Sequence, residues 1–307
     1  MDNRVNGFLH YMSAERGASK NTIDAYRNDL TAFGGFALQR AENGGSPAGG
    51  PPEIDSDLII DYIRWLNEEK QYAKATVARK VAALKSFCAF LLDHGELSTN
   101  PATSISSPRA PKPVPKPMTT EQVDALLRQP LKSDTPEAIR DAAALELMYA
   151  TGMRVTELVS LNLDSIHLSP RPAYARCVGK GAKERTLPVY EQATRALEHY
   201  LDESRPILIK SRPQPALFVN RRGERLTRQG FWLILKNYAR SANIDAHVTP
   251  HTLRHSFATH MLRGGASVRD VQELLGHANV STTQVYTQLA NEHLREMYEQ
   301  VHPRAVG

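Results

Sequence analysis

The stretch HTLRHSFATH, residues 251–260, places histidines and an arginine at spacings that suit catalysis. In a helix, His251 and Arg254 share a face because they are three residues apart, and His255 lies one turn after His251. Two histidines four apart can bind zinc, but the helical zinc-protease pattern needs a glutamate where Thr252 stands. A phosphate suits this face better, since the guanidinium can bind two oxygens while the imidazole moves a proton.

The next segment adds two candidates, His277 and Tyr286. Ser267 is a predicted N-cap of a helix that Gly276 would end, so His277 would lie at the exit of that helix, where it can be aimed at a site. Tyr286 falls in a further predicted helix, 281–289. Each residue alone has a simpler interpretation, since such a tyrosine usually packs in a core and such a histidine usually lies at the surface.

Upstream, Gly152 is predicted to end one helix and Arg154 to open the next. Glu157 follows three residues later and can hold the guanidinium of Arg154 by charge pairing. Because arginine stays protonated near neutral pH, Arg154 would stabilise charge and would not transfer a proton. The alternative is an ordinary ion pair at the surface.

A lysine stands between two glycines in VGKGAKER, at the tip of a predicted β-hairpin. From this turn Lys180 could reach into a minor groove and donate a proton; the alternative is a solvated charge. The GxxxxGK[ST] spacing of a nucleotide-binding loop is absent, which argues against binding of a nucleoside triphosphate.

Taken together and in this order, these residues resemble the active-site set of the tyrosine recombinases, the phage-integrase-type family. The matching positions are Arg154, Lys180, His251, Arg254, His277 and Tyr286. Within that family, LRHSFATHML, VQELLGHANVSTTQVYT and HPRA (302–305) are very similar to the XerC/XerD group, which resolves chromosome dimers. The resemblance covers almost the full length, and the glycine-rich segment 41–52 is longer than the family pattern.

The resemblance implies a covalent mechanism of DNA strand exchange. Tyr286 would attack a scissile phosphodiester, form a 3′-phosphotyrosyl bond and free a 5′-hydroxyl. Arg154 and Arg254 would bind the non-bridging oxygens and stabilise the charge of the transition state. The phosphotyrosine conserves the energy of the broken bond, so no ATP is expected.

The remaining three residues would manage protons and position the phosphate. Lys180 would be the general acid on the leaving 5′-oxygen, and His251 a general acid/base toward the phenol. His277 would hydrogen-bond the phosphate. Since cationic and polar groups would then do what a metal does elsewhere, no metal and no other cofactor are expected.

The resemblance also implies partners. They are a double-stranded DNA recombination site and three further protomers, which with this chain form a tetramer on two DNA sites. The tetramer is either homomeric or shared with a paralogous recombinase, and a septal DNA translocase is a further candidate partner. No membrane partner is expected.

The implied fold is mainly α with a small β-sheet. A helical core-binding (SAM-like) domain, 1–104, and an α+β catalytic domain, 119–307, would form a C-shaped clamp on DNA. The linker 105–118 is rich in proline and carries Arg109, Lys112 and Lys116, so an extended chain along a phosphate backbone is expected.

Helical spacing supports the first domain. Apolar residues three and four apart predict a helix within 21–33, Ser56 is the predicted cap of the next, and a third spans 75–95. Lys74, Arg79, Lys80 and Lys85 are predicted to lie on the outer faces of that third helix, contacting DNA or solvent. Residues 41–52 are predicted to form a loop.

The second half combines helices with one hairpin, 174–190. Predicted helices are 119–129, 136–150, 155–161, 191–203, 227–241, 250–263, 267–275, 281–289 and 291–300. The last one, with Leu294, Met297, Tyr298 and Val301 on one face, is expected to dock on a neighbouring protomer; the alternative is packing on its own domain.

Composition agrees with a DNA enzyme of the reducing cytoplasm. The net charge is +5, and residues 1–108 contribute 11 Lys and Arg against 13 Asp and Glu, so the excess of positive charge lies in the second part. A basic part of this kind indicates a polyanionic partner; the alternative is a charge that serves ordinary solubility. The hydrophobic fraction of 41% suffices for a sizeable core. Cys88 and Cys177 are the two cysteines, which excludes a disulfide framework, and we see no signal peptide or apolar run long enough for a membrane span.

Three rival interpretations share parts of this pattern. A catalytically silent DNA-binding regulator should lack one of the six side chains, and all six are present. An integrase of a mobile element would use the same chemistry on another target. A type IB topoisomerase would use the same nucleophile without partner protomers.

Overall fold

The computed structural model describes residues 2–43, 53–106, 116–169, 171–178, 184–210, 213–244, 248–276 and 288–305. The chain divides into two compact units, Met1–Pro113 and Val114–Gly307. The described residues form helices and one small sheet, which confirms the predicted class, mainly α with a small β-sheet. Within them, no helix has the length and apolar character needed to cross a bilayer.

The first unit is a helical domain with its own apolar core. Its helices are α1 (Asp2–Ala14), α2 (Lys20–Asn43), α3 (Ser56–Glu68) and α4 (Lys74–Asp93). Phe8, Phe33, Tyr62 and Phe87 are almost completely buried, and Phe8 packs edge-on against Phe87. Helix α1 was not predicted, and α2 extends almost three helical turns beyond the predicted 21–33. It includes residues 41–43 of the predicted loop, and the remainder of that loop, 44–52, lies outside the described residues.

The cap of α3 differs from the sequence prediction. Asp55 accepts a hydrogen bond from the backbone N of Leu58 at 2.7 Å, and Ser56 is the first residue of the helix. The Ser56 hydroxyl instead donates to the carbonyl oxygen of Pro101 at 3.0 Å, which ties the helix start to a distant segment. Both residue types favour N-caps, so the sequence could not choose between neighbours.

Two of the four basic residues on α4 have an internal partner. Lys80 is buried, and its Nζ lies 3.1 Å from Oδ1 of Asp29, a buried residue of α2. Arg79 also donates to Asp29. The prediction that Lys80 lies on an outer face was therefore wrong, because a buried carboxylate needs a cation beside it.

The second unit contains the remaining helices. They are α5 (Thr120–Leu127), α6 (Pro136–Thr151), α7 (Val155–Ser160), α8 (Glu191–His199), α9 (Arg205–Ile209), α10 (Arg228–Ser241), α11 (Pro250–Gly264), α12 (Val268–Leu275) and α13 (Gln288–Val301). A π-helical turn, Tyr200–Ser204, joins α8 to α9. Helix α6 is buried along almost its whole length and forms the centre of this domain. Most of the predicted helix 281–289 lies outside the described residues.

The sheet is antiparallel, with strand order β1-β2-β3. Strands β2 (Tyr174–Val178) and β3 (Glu184–Pro188) confirm the predicted hairpin, with Cys177 opposite Arg185. Its tip, 179–183, lies outside the described residues. Strand β1 (Ile166–His167) was missed because two residues are too short for an alternating pattern.

Helix α13 packs on its own domain in the single chain. Tyr298 is 1% exposed and donates a hydrogen bond to the carbonyl oxygen of Ala150 at 2.9 Å, while Leu294 is also buried. Met297 and Val301 pack against the same core. The sequence allowed either docking on a neighbouring protomer or packing on the same domain, and the structure has the second arrangement. The apolar face of α13 is thus buried without a neighbouring protomer. Docking on another protomer would require these side chains to leave the core, and it stays a prediction.

The HPRA segment after α13 is also part of this core. His302 is fully buried, and its ring packs against Tyr149, Tyr190, Phe257 and Tyr298. Burial lowers the pKa of His302 to about 3, so the ring is neutral. Arg304 forms ion pairs with Asp124 on α5 and Glu146 on α6.

Gly152 sets the turn between α6 and α7. Its φ is +58°, and a Cβ built there would lie 2.2 Å from Cδ1 of Phe257. Gly152→Ala should therefore lower the stability of this domain by ~1–3 kcal/mol through overpacking, with added backbone strain. Gly35→Ala in α2 is the matched control, because a Cβ there has no atom within 4 Å. Equal denaturation midpoints for the two variants would contradict the prediction.

Candidate active site

Helix α11 carries two of the predicted site residues. Thr249 and Thr252 form a capping box at its start, and Pro250 occupies the first turn. Leu253 and Phe257 are buried, as predicted, and they anchor the helix so that His251 is exposed at its N-terminal turn.

Arg254 is buried on the same helix and is held by backbone oxygens. Its Nη1 donates to the carbonyl of Gly152 at 2.7 Å, and its Nη2 donates to that of Leu275 at 2.8 Å. Burial, and then the nearby charge of Arg154, lower the pKa of Arg254 to about 10. The guanidinium is still protonated at neutral pH, and an anion placed beside it would offset the free-energy cost of burying its charge.

Arg154 is the N-cap residue of α7, and Glu157 fixes it. The backbone N of Arg154 donates to Oε2 of Glu157 at 2.7 Å, and its Nη1 donates to Oε1 at 3.1 Å. Its Nη2 reaches the carbonyl of Gly276 at 3.3 Å. The side chain keeps 40% of its surface exposed, so the guanidinium is available to a ligand. The pairing confirms the sequence prediction, but Glu157 is buried and the pair is not a surface ion pair.

Arg185 on β3 is a member of this site that the sequence did not indicate. Its Nη1 and Nη2 donate to Oε1 and Oε2 of Glu157 at 3.0 and 2.8 Å. Burial alone would raise the pKa of Glu157, but the hydrogen bonds and charge of Arg185, with those of Arg154, hold it below its ordinary value. The guanidinium groups of Arg154 and Arg185 thus both bind the carboxylate of Glu157, and the charge of that carboxylate also acts on Arg254.

This excess of positive charge defines what the site can do. Among the residues that the structure describes, these three arginines share the carboxylate of Glu157, so the group has a net positive charge in a partly dehydrated setting where charges interact strongly. Arg154 and Arg254 are anchored to adjacent carbonyls, those of Gly276 and Leu275, and their free donor capacity suits the two non-bridging oxygens of a phosphodiester.

The structure places three of the six sequence-predicted residues, Arg154, His251 and Arg254. Lys180, His277 and Tyr286 lie outside the described residues. In sequence, Lys180 falls between β2 and β3, and His277 directly follows Gly276, whose carbonyl binds Arg154. The third histidine of the opening motif, His260, is structural, because it is buried between Tyr149 Oη and the Met118 carbonyl at 2.8 Å each.

In the part of the chain that the structure describes, no third residue joins His251 and His255 as a ligand for zinc. Among those residues, no three His, Cys, Asp or Glu side chains come together in a group able to hold a metal ion. The arginine-rich arrangement favours an anion.

Family models match both units of the chain. The phage integrase family model matches residues 116–293, which is more than half of the chain, and the model of the phage integrase N-terminal SAM-like domain matches residues 5–95. The chain belongs to the phage integrase family and is a site-specific tyrosine recombinase that acts on DNA.

Curated relatives place it in the XerC/XerD group of that family. Tyrosine recombinase XerC of Herpetosiphon aurantiacus is 48% identical over 95% of this chain and 92% of the relative. Tyrosine recombinase XerD of Halalkalibacterium halodurans is 45% identical over 99% of both chains. The XerH recombinase in a pre-cleavage complex with its difH substrate shares the fold, with a TM-score of 0.70, 19% identity and coverage of 98% and 82% of the two chains.

Proposed function

We propose that this recombinase resolves chromosome dimers by cutting and rejoining DNA through a 3′-phosphotyrosyl intermediate. The observation that carries the chemical part is the pair Arg154 and Arg254, held by two adjacent carbonyls, with Arg254 on the same helix as the exposed His251. The chromosomal role is supported by relatives named XerC and XerD that match almost the whole chain.

In this mechanism the two arginines bind the scissile phosphate. Arg154 and Arg254 contact the non-bridging oxygens and stabilise the additional negative charge of the pentacoordinate transition state. Their anchors to Gly276 and Leu275 mean that the guanidinium groups need little reorganisation when the phosphate arrives. Removal of one such donor typically costs about 10²–10³-fold in rate.

The other four steps fall to residues assigned by family resemblance and by chemistry. Tyr286 attacks phosphorus, Lys180 protonates the leaving 5′-oxygen, and His251 exchanges the proton of the phenol. His277 donates a hydrogen bond to the phosphate. The free 5′-hydroxyl later attacks the phosphotyrosine, so that each bond broken is replaced by one of similar energy.

This scheme leads us to expect cleavage without divalent metal. Excess EDTA should leave the rate of covalent adduct formation within about twofold, because arginine and lysine supply the charge and proton that metal ions supply elsewhere. The rate should be measured at constant ionic strength, since DNA binding weakens as salt rises. Complete loss of cleavage that added zinc restores would return His251 and His255 to the role of metal ligands.

We infer that the working assembly is four protomers on two duplex DNA sites, in the cytoplasm. The identities to XerC and XerD relatives, 48% and 45%, do not separate the two types. Both a homotetramer and a tetramer with a paralogous recombinase are therefore compatible with the chain, and a septal DNA translocase is a further candidate partner. The linker 105–118 would follow the phosphate backbone.

Recovery of covalently trapped DNA tests the proposal. Cells expressing the protein are lysed in denaturant, the protein-linked DNA is purified, and the attached ends are sequenced. We expect one chromosomal position with two inverted half-sites. Ends that coincide with the borders of a mobile element would support an integrase instead, and the absence of linked DNA would contradict the proposed chemistry.

A further inference from the structure

Three consecutive backbone carbonyls at the end of α12 bind three different arginines. The carbonyl of Leu274 accepts from Nε of Arg185 at 3.1 Å, that of Leu275 from Arg254, and that of Gly276 from Arg154. The last carbonyls of a helix have no partner within the helix and carry the negative end of its dipole. The end of α12 is therefore a fixed anchor for all three guanidinium groups.

Arg185 makes the second connection within this set. Its two terminal nitrogens bind both oxygens of Glu157, and the same carboxylate holds the backbone N and the Nη1 of Arg154. Arg185 is thus bound at one end to the α12 anchor and at the other to the residue that orients Arg154. A bidentate pair of this kind fixes direction as well as distance.

The packing around Arg185 leaves little room for another geometry. Gly276 has a φ of +65°, and a Cβ there would lie 3.0 Å from Nη1 of Arg185. The Arg185 side chain is 8% exposed, compared with 40% for Arg154. Arg185 is held by protein oxygens on both sides, the carbonyl of Leu274 and the carboxylate of Glu157, which is the arrangement of a residue that supports the site.

We propose that Arg185 is a positioning residue for strand cleavage, which orients Arg154 through Glu157 and Arg254 through the end of α12. The proposal rests on the proposed function, because the step that it supports is attack on a phosphodiester. It assigns Arg185 no contact with DNA. Its loss would misplace two guanidinium groups without removing either of them.

The charge balance around Glu157 gives this role a specific signature. Within the described part of the chain, the charged or titratable groups that act on Glu157 are Arg154 from α7, Arg185 from β3 and Arg254 from α11, with the neutral thiol of Cys177 on β2 nearby. Without Arg185, burial dominates and the pKa of Glu157 rises. As pH falls, Glu157 would then take up a proton and release Arg154, so the defect of the variant should grow toward acid pH.

The experiment measures single-turnover cleavage of a nicked suicide duplex that carries the site recovered by trapping. Arg185→Gln should cleave saturating DNA about 10²-fold more slowly than the wild type, which is the typical cost of a small misplacement. Its dissociation constant for the duplex should change by less than about threefold. When the pH is lowered from 8 to 5.5, the cleavage rate of Arg185→Gln divided by the wild-type rate should decrease.

Two further variants separate positioning from general damage. Arg185→Lys keeps the charge but loses the bidentate geometry. The ratio of its cleavage rate to the wild-type rate should therefore be independent of pH, and the rate itself should be only partly restored. In an E157Q background, the R185Q substitution should lower the cleavage rate by less than a further factor of about three, because the effects of residues that act through one another are not additive.

Arg205→Lys is the matched control, since Arg205 is equally buried and binds the carbonyls of Gln214, Ala216 and Leu217 away from the site. The Arg205→Lys variant should cleave the duplex at nearly the wild-type rate.

Each outcome decides for or against the role of Arg185. Wild-type cleavage by Arg185→Gln, additive losses in the double variant, or equal losses in binding and cleavage would overturn the proposal. Failure of both Arg185 variants to fold, by far-UV circular dichroism, would also overturn it, since Arg185 would then be needed for the fold itself. A wild-type protein that forms no adduct would refute the proposed function and not the geometry of Arg185.

Discussion

Tyr286→Phe is expected to bind the recombination site with unchanged affinity and to form no covalent adduct. The substitution removes the phenolic oxygen, which is the atom that attacks phosphorus, and keeps the ring. Since the ordinary pKa of tyrosine is about 10, the proton leaves during the attack, and no other group in phenylalanine can replace that oxygen. A suicide duplex analysed by denaturing gel electrophoresis measures the adduct, and a mobility shift assay measures binding.

Tyr298→Phe is the matched control for this experiment. It makes the same chemical change twelve positions later, on α13, where the hydroxyl donates to the carbonyl of Ala150 and also hydrogen-bonds the backbone of Tyr190. We expect a loss of about 1–3 kcal/mol in stability from the lost hydrogen bonding of this buried hydroxyl and normal adduct formation. An adduct formed by Tyr286→Phe, at any rate near that of the control, would show that another residue is the nucleophile.

Arg154→Ala should lower the cleavage rate by about 10²–10³-fold while changing DNA affinity far less. The guanidinium acts on charge that develops in the transition state, whereas many basic groups share the binding of a duplex. The salt dependence of binding should decrease by about one counterion, as for the loss of a single phosphate contact. Single-turnover cleavage at saturating DNA and a salt titration of the dissociation constant measure the two effects.

Arg195→Ala controls for the loss of a charge as such. Arg195 is exposed and pairs with Glu191 on its own helix, as Arg154 pairs with Glu157. Its removal should leave cleavage at saturating DNA within about twofold, because an exposed ion pair contributes little. Equal losses in affinity and cleavage for Arg154→Ala would assign Arg154 to DNA binding or to structure and not to the transition state.

The sequence predicted the site where chemistry and short-range spacing are sufficient. The side chains of Arg154 and Glu157 are three residues apart and meet on one turn, and the cap and buried face of α11 follow from the same rules. The convergence of Arg154 with Arg254, 100 positions away, came from the family resemblance alone. Spacing carries no information about contacts between distant segments.

Arg185 shows most clearly what could not be predicted. In the sequence Arg185 stands two residues before Leu187, and period-two spacing puts both on the core face of β3, but the spacing gives no sign of the carboxylate that Arg185 binds. Lys80 was misplaced for the same reason, since its partner Asp29 lies on another helix. Lys80 was assigned to the surface and Arg185 was given no role, because the partner of each is distant in the sequence.

The burial of His302 and Arg304 in the second unit has a consequence for protein synthesis. Arg304 joins Asp124 and Glu146, which precede it by 180 and 158 positions, so these ion pairs cannot form until translation has passed residue 304. A chain still attached to the ribosome, in which Arg154 and Arg254 have already been synthesised, would lack His302 and Arg304, which complete the core of the second unit. The core of the second unit therefore closes only after the residues that follow α13 have been synthesised.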